Sequence, residues 1–302
     1  MPLPHVAAGV VVVAIWGSNF VVARMALEQF PPITFSVLRF AVASLPLIWL
    51  IRPPRMPVRE IVAYGLLIGV GQFGLLLYAL DGHMSAGLAS LLIQTQAIFT
   101  VALALVIGGE RPRADNLVAL ALCITGIALI GLDAGGAADP LGIVLVLGAA
   151  LGWAGGNILA KRAGNIDMLA LMVWSGLAAV PPLLAAALLI EGSELMMRSL
   201  AQADAFAWAT VPWQSFANSL FCYSVWNWLL ARHPAADVAP IGLLVPVFGM
   251  SAAAWLLAEP MPTWKVAAAI LVLTGLAVNF WTSRRAAQPK TPNEIEPMEV
   301  MS

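Results

Sequence analysis

Residues 5–27 read HVAAGVVVVAIWGSNFVVARMAL, and residues 140–163 read PLGIVLVLGAALGWAGGNILAKRA. Each is an apolar run of about 20 residues, the length that crosses a ~30 Å hydrocarbon core as a helix. At an offset of 138, Gly17 meets Gly155, Asn19 meets Asn157 and Arg24 meets Arg162. Further along the chain the offset becomes 149, pairing Phe99 with Phe248, Glu110 with Glu259 and Thr125-Gly126 with Thr274-Gly275. An ordered series of matches at near-constant spacing is the mark of an internal repeat.

The same ruler fits ten times: 5–27, 32–52, 60–80, 84–108, 114–132, 140–163, 167–190, 210–231, 236–257 and 262–282. Short connections rich in proline and glycine separate the runs, among them Pro31-Pro32, Pro53-Pro54, Pro112, Gly135-Gly136, Pro234, Pro260 and Pro262. This predicts an all-α integral membrane protein of ten transmembrane helices. Its first half is 1–137, its second half 138–282, and its disordered tail 283–302. Residues 191–209 form the longest connection, and their mix of acids with Leu195, Met196 and Leu200 predicts a helix lying in the interface plane. An odd number of spans per repeat makes the second half enter the membrane from the opposite side. The two halves are therefore inverted, the arrangement that lets a central cavity alternate between the two faces.

Composition agrees. In 302 residues 61% are hydrophobic and 10% charged, against about 25% charged in a soluble domain. A net charge of −1 offers nothing to nucleic acid. The basic residues do set an orientation, because cytoplasmic loops retain Lys and Arg. With the N-terminus inside, eleven fall in cytoplasmic segments (Arg52, Arg55, Arg59, Arg111, Arg113, Lys161, Arg162, Arg232, Arg284, Arg285, Lys290) and three outside (Arg24, Arg198, Lys265). Both termini are expected to be cytoplasmic.

Arg39 falls inside a span, where an ionisable side chain is expensive and marks a candidate site. It is placed to bind a substrate carboxylate, to snorkel to the interface, or to hold a carbonyl of the first span. Asn19 and Asn157 are the repeat-related amides near mid-membrane, serving as substrate ligands or as interhelical glue. Gln94 and Gln96 add amides to the fourth span, about 200° apart on an α-helix, so that only one faces the cavity. Gln72 adds another to the third. Trp16, Tyr78, Trp153, Trp174 and Trp226 lie well within spans and suit an aromatic pocket wall, with Trp16 and Trp153 nearest the asparagines. Prolines inside spans, Pro46 in the second, Pro181 and Pro182 in the seventh and Pro246 in the ninth, are candidate hinges because each leaves a carbonyl unpaired.

No phosphate-binding glycine loop, zincin helix or nucleophile–base–acid order occurs, and His5, His83 and His233 sit at span ends. Cys123 and Cys222 lie in apolar runs without metal-type spacing. Neither enzyme, metal nor cofactor is expected. No Asp or Glu occupies a mid-span position, so facilitated export or exchange is favoured over a buried proton relay. The alternatives are a membrane-embedded transferase and a proton-coupled drug or metabolite exchanger.

Taken together, W-G-S-N-F-x-x-A-R (Trp16–Arg24), L-R-F (Leu38–Phe40), Glu110, W-A-G-G-N-I-L-A-K-R (Trp153–Arg162), Pro246 followed by Phe248, and Glu259 resemble the EamA-type family of drug/metabolite transporters over residues 1–282. The resemblance implies a bacterial inner-membrane exporter of amino acids or similar metabolites, monomeric, with ten helices around a central cavity. The Trp-rich version containing Arg39 is similar to the YddG-type aromatic amino-acid exporters. One departure is Ala97, standing where the second half has Pro246, so the kink expected in the ninth span is not expected in the fourth.

Overall fold

The computed structural model describes residues 1–108, 114–133, 137–164, 166–233 and 235–287. Glu110, Arg111, Pro112, Arg113, Gly135, Gly136, Pro234 and the tail from Gln288 lie outside the described residues. Those described are almost wholly helical and contain no strand. Five helical segments are long and apolar enough to cross a membrane: Leu3–Ala26, Val58–Leu80, Ala86–Ala104, Pro140–Ala163 and Met168–Glu191. Shorter apolar helices cover Pro32–Ser44, Val118–Leu132, Pro240–Leu256 and Thr263–Val278.

Helix ends follow from local chemistry. Asp139 accepts from the Gly142 N–H as N-cap of Pro140–Ala163, with Pro140 in the first turn and Gly164 beyond the last at φ 72°. Asp167 caps Met168–Ala186, Ser85 caps Ala86–Leu92, and Asp204 caps Ala205–Pro212. Ser193–Gln202 forms the helix expected in the long connection, while residues 205–209 already belong to the next apolar helix. The last helix, Thr263–Ala287, runs past residue 282, so the tail begins later than expected.

Two irregularities recur at corresponding places. The helices holding Leu66–Gly74 and Trp213–Phe221 are wound as π-helix there. Those holding Ile93–Thr95 and Ala239–Leu244 tighten to 3₁₀. The second pair corrects the expectation for Ala97. The fourth span breaks without a proline, Thr95 Oγ1 donating to the Leu92 carbonyl at 2.8 Å and Gln94 Nε2 to the Gly242 carbonyl of the other break at 3.2 Å. Pro46 does end its helix, at Ser44, beyond which the chain continues in turns. Pro181 and Pro182 do not: α-helix passes through both and departs into π-helix only at Ala187–Glu191. Proline's fixed φ is itself helical, so α-winding continues through the pair although two N–H donors are lost to it.

Packing has the same symmetry. Leu3–Ala26 lies against Val245–Leu256 as Pro140–Ala163 lies against Gln96–Gly108, while Pro32–Ser44 pairs with Met168–Ala186 and Ala114–Asp133 with Thr263–Ala287. Glycine sets the closest approach. A Cβ at Gly17 would stand 2.5 Å from the Val245 carbonyl oxygen and 2.7 Å from Phe248 Cβ. Gly17→Ala is therefore expected to cost about 1–3 kcal/mol, the usual penalty of overpacking. Melting in detergent measures it, and an unchanged melting temperature would mean that the two helices separate freely.

Polar ties gather on the face opposite the N-terminus. Glu191 accepts from the Ile33 and Thr34 N–H groups at 2.6 and 2.9 Å and from Thr34 Oγ1 at 2.7 Å. Glu259 accepts from Ala86 N–H at 2.8 Å and from Lys265 Nζ at 3.0 Å. Each carboxylate thus sits at the N-terminus of a helix from the other half, where the helix dipole favours negative charge. On the same face Asp139 takes a 2.8 Å contact from His83, and that contact and the Gly142 N–H hold its carboxyl below the usual range.

Candidate substrate cavity

Two adjoining cavities lie between the helices. The smaller is lined by Asn19, Arg39, Gln72, Phe73, Leu76, Asn218 and others toward the face opposite the N-terminus. The larger is lined by Tyr64, Gln96, Asn157, Met168, Trp226 and others toward the N-terminal face. Trp16, Gln94, Trp153, Tyr223 and Val245 line both, forming a waist. Trp16 is fixed there by an edge-on contact with Tyr223, centroids 5.3 Å apart, by Trp226 at 5.3 Å, and by an Nε1 hydrogen bond of 3.1 Å to the Asn218 carbonyl.

Arg39 is 1% exposed and lines the smaller cavity, so it does not snorkel. Its Nη2 donates to Ser219 Oγ at 2.8 Å rather than to a carbonyl of the first helix, and its Cζ lies 3.5 Å from the Phe73 ring centroid. Among the described residues no carboxylate pairs with it.

The repeat-related asparagines occupy different cavities. Asn19 Nδ2 donates to Gln214 Oε1 at 3.1 Å, and Asn157 Nδ2 to Gln96 Oε1 at 2.9 Å and Thr100 Oγ1 at 3.2 Å. Each is therefore both a lining residue and a bridge between helices. Gln94 and Gln96 both line the larger cavity, against the expectation that one would turn away. Tightening to 3₁₀ just before Gln96 advances the chain by 120° rather than 100° per residue, which brings alternate side chains nearer each other. Tyr78 is a correction: its ring stacks on His83, centroids 5.8 Å apart at 16°, and it lines neither cavity. Trp174 also serves elsewhere, donating to the Ile51 carbonyl at 3.0 Å.

The residues missed from the sequence are on Trp213–Phe221. Gln214 holds Asn19, Ser215 Oγ donates to the Arg39 carbonyl at 2.8 Å, Asn218 holds Trp16 and Ser219 holds Arg39. Their signal was a polar stripe at 214, 215, 218 and 219 within an apolar helix. π-winding keeps that stripe on one face where α-winding would let it drift.

The profile of the EamA-like transporter family matches twice, over residues 4–132 and 140–281. A probable amino-acid metabolite efflux pump of Escherichia coli (strain K12) is 36% identical over 279 residues, covering 90% of this chain and 93% of that protein. A probable terminal-alkyne amino-acid exporter of Streptantibioticus cattleyicolor is 28% identical over 294 residues, 94% of this chain and 96% of that one. A solved structure at 19% identity superposes with a TM-score of 0.64, covering 95% of this chain and all of its own, and so shares the fold. With ordered apolar helices around a cavity that holds a few polar side chains and a family match in each half, this chain belongs to the EamA-like transporter family.

Proposed function

We propose that the protein is a secondary transporter that exports neutral amino acids or related metabolites across the bacterial cytoplasmic membrane by alternating access, working as a monomer with both termini in the cytoplasm. The reading takes the chain as ten spans in two inverted halves, 1–137 and 138–282. The paired π and 3₁₀ irregularities and the symmetric helix contacts support it. One observation carries the substrate class: a lone buried guanidinium in a wall of amides and aromatic rings, chemistry that fits a carboxylate on a small uncharged body. The names of the two relatives point the same way. Trp16, Asn19, Arg39, Gln94, Gln96, Trp153 and Asn157 are the proposed substrate path, joined by Gln72 and Tyr223. The 3₁₀ segment beside Pro246, its partner at Ile93–Thr95 and the helix end at Pro46 are the proposed hinges.

Flux from proteoliposomes across a panel of neutral, acidic and basic amino acids tests this, with neutral ones expected to leave fastest. No Asp or Glu lines either cavity among the described residues, which favours flow down the substrate's own gradient over coupling to a buried acid. An imposed pH gradient is accordingly expected to drive no uphill accumulation. Accumulation that follows the pH gradient would establish proton-coupled exchange in its place.

A further inference from the structure

The smaller cavity holds buried polar atoms with no partner. Among the residues lining it, Arg39 Nε is a donor without an acceptor, and Asn19 Oδ1 and Gln72 Oε1 are acceptors without donors; Gln214 Nε2 and Ser44 Oγ, outside the lining, are unpartnered too. Asn19 is 8% exposed, Gln72 3% and Arg39 1%, and all three line the cavity. A buried polar atom left unpaired is costly, and a run of them in one cavity points to a ligand that completes them. The formal charge along this wall is a single positive one, from Arg39, among amide, aromatic and aliphatic side chains. Gln72 also sits in the π-wound stretch Leu66–Gly74, a local departure from α geometry of the kind that gathers at functional sites.

Resting on the transport reading above, we propose that this cavity is a zwitterion site. It takes the substrate carboxylate on Arg39, the α-ammonium on the carbonyl oxygens of Asn19 and Gln72, and the side chain against Phe73, Leu76 and Leu77. A carboxylate supplies the anion that Arg39 lacks in the protein. An ammonium supplies donors to the two oxygens without placing a protein acid beside Arg39, where it would pair with the guanidinium and close the site. Selection is thus for molecules that carry both charged groups on one carbon. Amines, simple carboxylic acids and N-acylated amino acids each leave one side unpaired, and sites built to hydrogen-bond a group discriminate strongly against its absence.

The test is equilibrium binding to the purified full-length protein, by calorimetry. The side chains of alanine, leucine and phenylalanine are each presented as the amino acid, as the amine lacking the carboxylate and as the acid lacking the ammonium. At least one amino acid is expected to bind about tenfold or more tightly than both of its analogues, the scale of one lost charged hydrogen bond. Gln72→Leu is expected to bring the amino acid down to the affinity of its deamino acid while leaving the latter unchanged. Gln72→Met, which removes the same oxygen from an unbranched side chain, is expected to do the same and serves if the leucine variant does not fold. Equal binding of the amino acid and its deamino acid, or indifference of both to Gln72 variants, overturns the site. So does binding of none of the three amino acids. Flux of the wild-type protein in proteoliposomes separates the cases: amino-acid flux without this discrimination defeats the site alone, whereas absence of amino-acid flux defeats the transport reading.

Discussion

Arg39→Met is expected to melt at a higher temperature than the parent protein and to lose export of carboxylate-bearing substrates. The two effects have opposite signs if, as proposed, the guanidinium is held for the ligand at the expense of the fold. It is 1% exposed, without an acid among the described residues, and its partners are one hydroxyl and the aromatic faces of Phe73 and Phe40. Replacing buried charges by apolar residues of similar volume is often neutral or stabilising by about 1–4 kcal/mol. The same change removes the group proposed to meet the carboxylate. Truncating one member of a buried, hydrogen-bonded charge pair costs about 2–5 kcal/mol, or roughly thirty- to several-thousand-fold in affinity. Melting in detergent and flux in proteoliposomes are the two measurements. A lower melting temperature would mean that Ser219 and Phe73 compensate the charge fully, and undiminished flux would remove Arg39 from the substrate path.

The other large effect is at Glu259. Its partner Lys265 is 1% exposed on its side chain, and Glu259 itself 12%. Glu259→Gln strands that ammonium and weakens the acceptor for the Ala86 and Gly87 N–H groups. Breaking a buried pair from one side costs about 3–5 kcal/mol because the remaining charge is left uncompensated. Adding Lys265→Met to Glu259→Gln is expected to recover most of the loss, which a double-mutant cycle on melting free energies would show. If the single and double variants melt together, the damage lies in the helix cap rather than in the stranded charge.

How far the sequence reaches is clearest in the helix Pro140–Ala163. Its expected limits, 140–163, coincide with those observed because Asp139, Pro140 and Gly164 are all local signals. The second span, expected to reach residue 52, stops as helix at Ser44 because Pro46 removes a donor. Trp16, Trp153, Asn19 and Arg39 could be singled out as cavity candidates because each is a costly or bulky residue in an apolar run. Their partners could not. Which residues meet Asn19 depends on the winding of Trp213–Phe221, nearly two hundred positions away, and a π-turn leaves no mark in hydrophobic periodicity. Tyr78 failed for a related reason: depth along a helix was readable, but the direction of the ring toward His83 was not.

Because the two cavities meet at a waist fixed by Trp16 and Tyr223, and the one toward the N-terminal face is the wider, the protein presents unlike profiles to its two sides. A rigid molecule broad enough to fill the wider chamber, yet too broad for the indole and phenol rings to pass, would act as a plug. It would work when offered at the N-terminal face and be inert when offered at the other. Sided blockers of this kind would report which face is open at a given moment without any label on the protein.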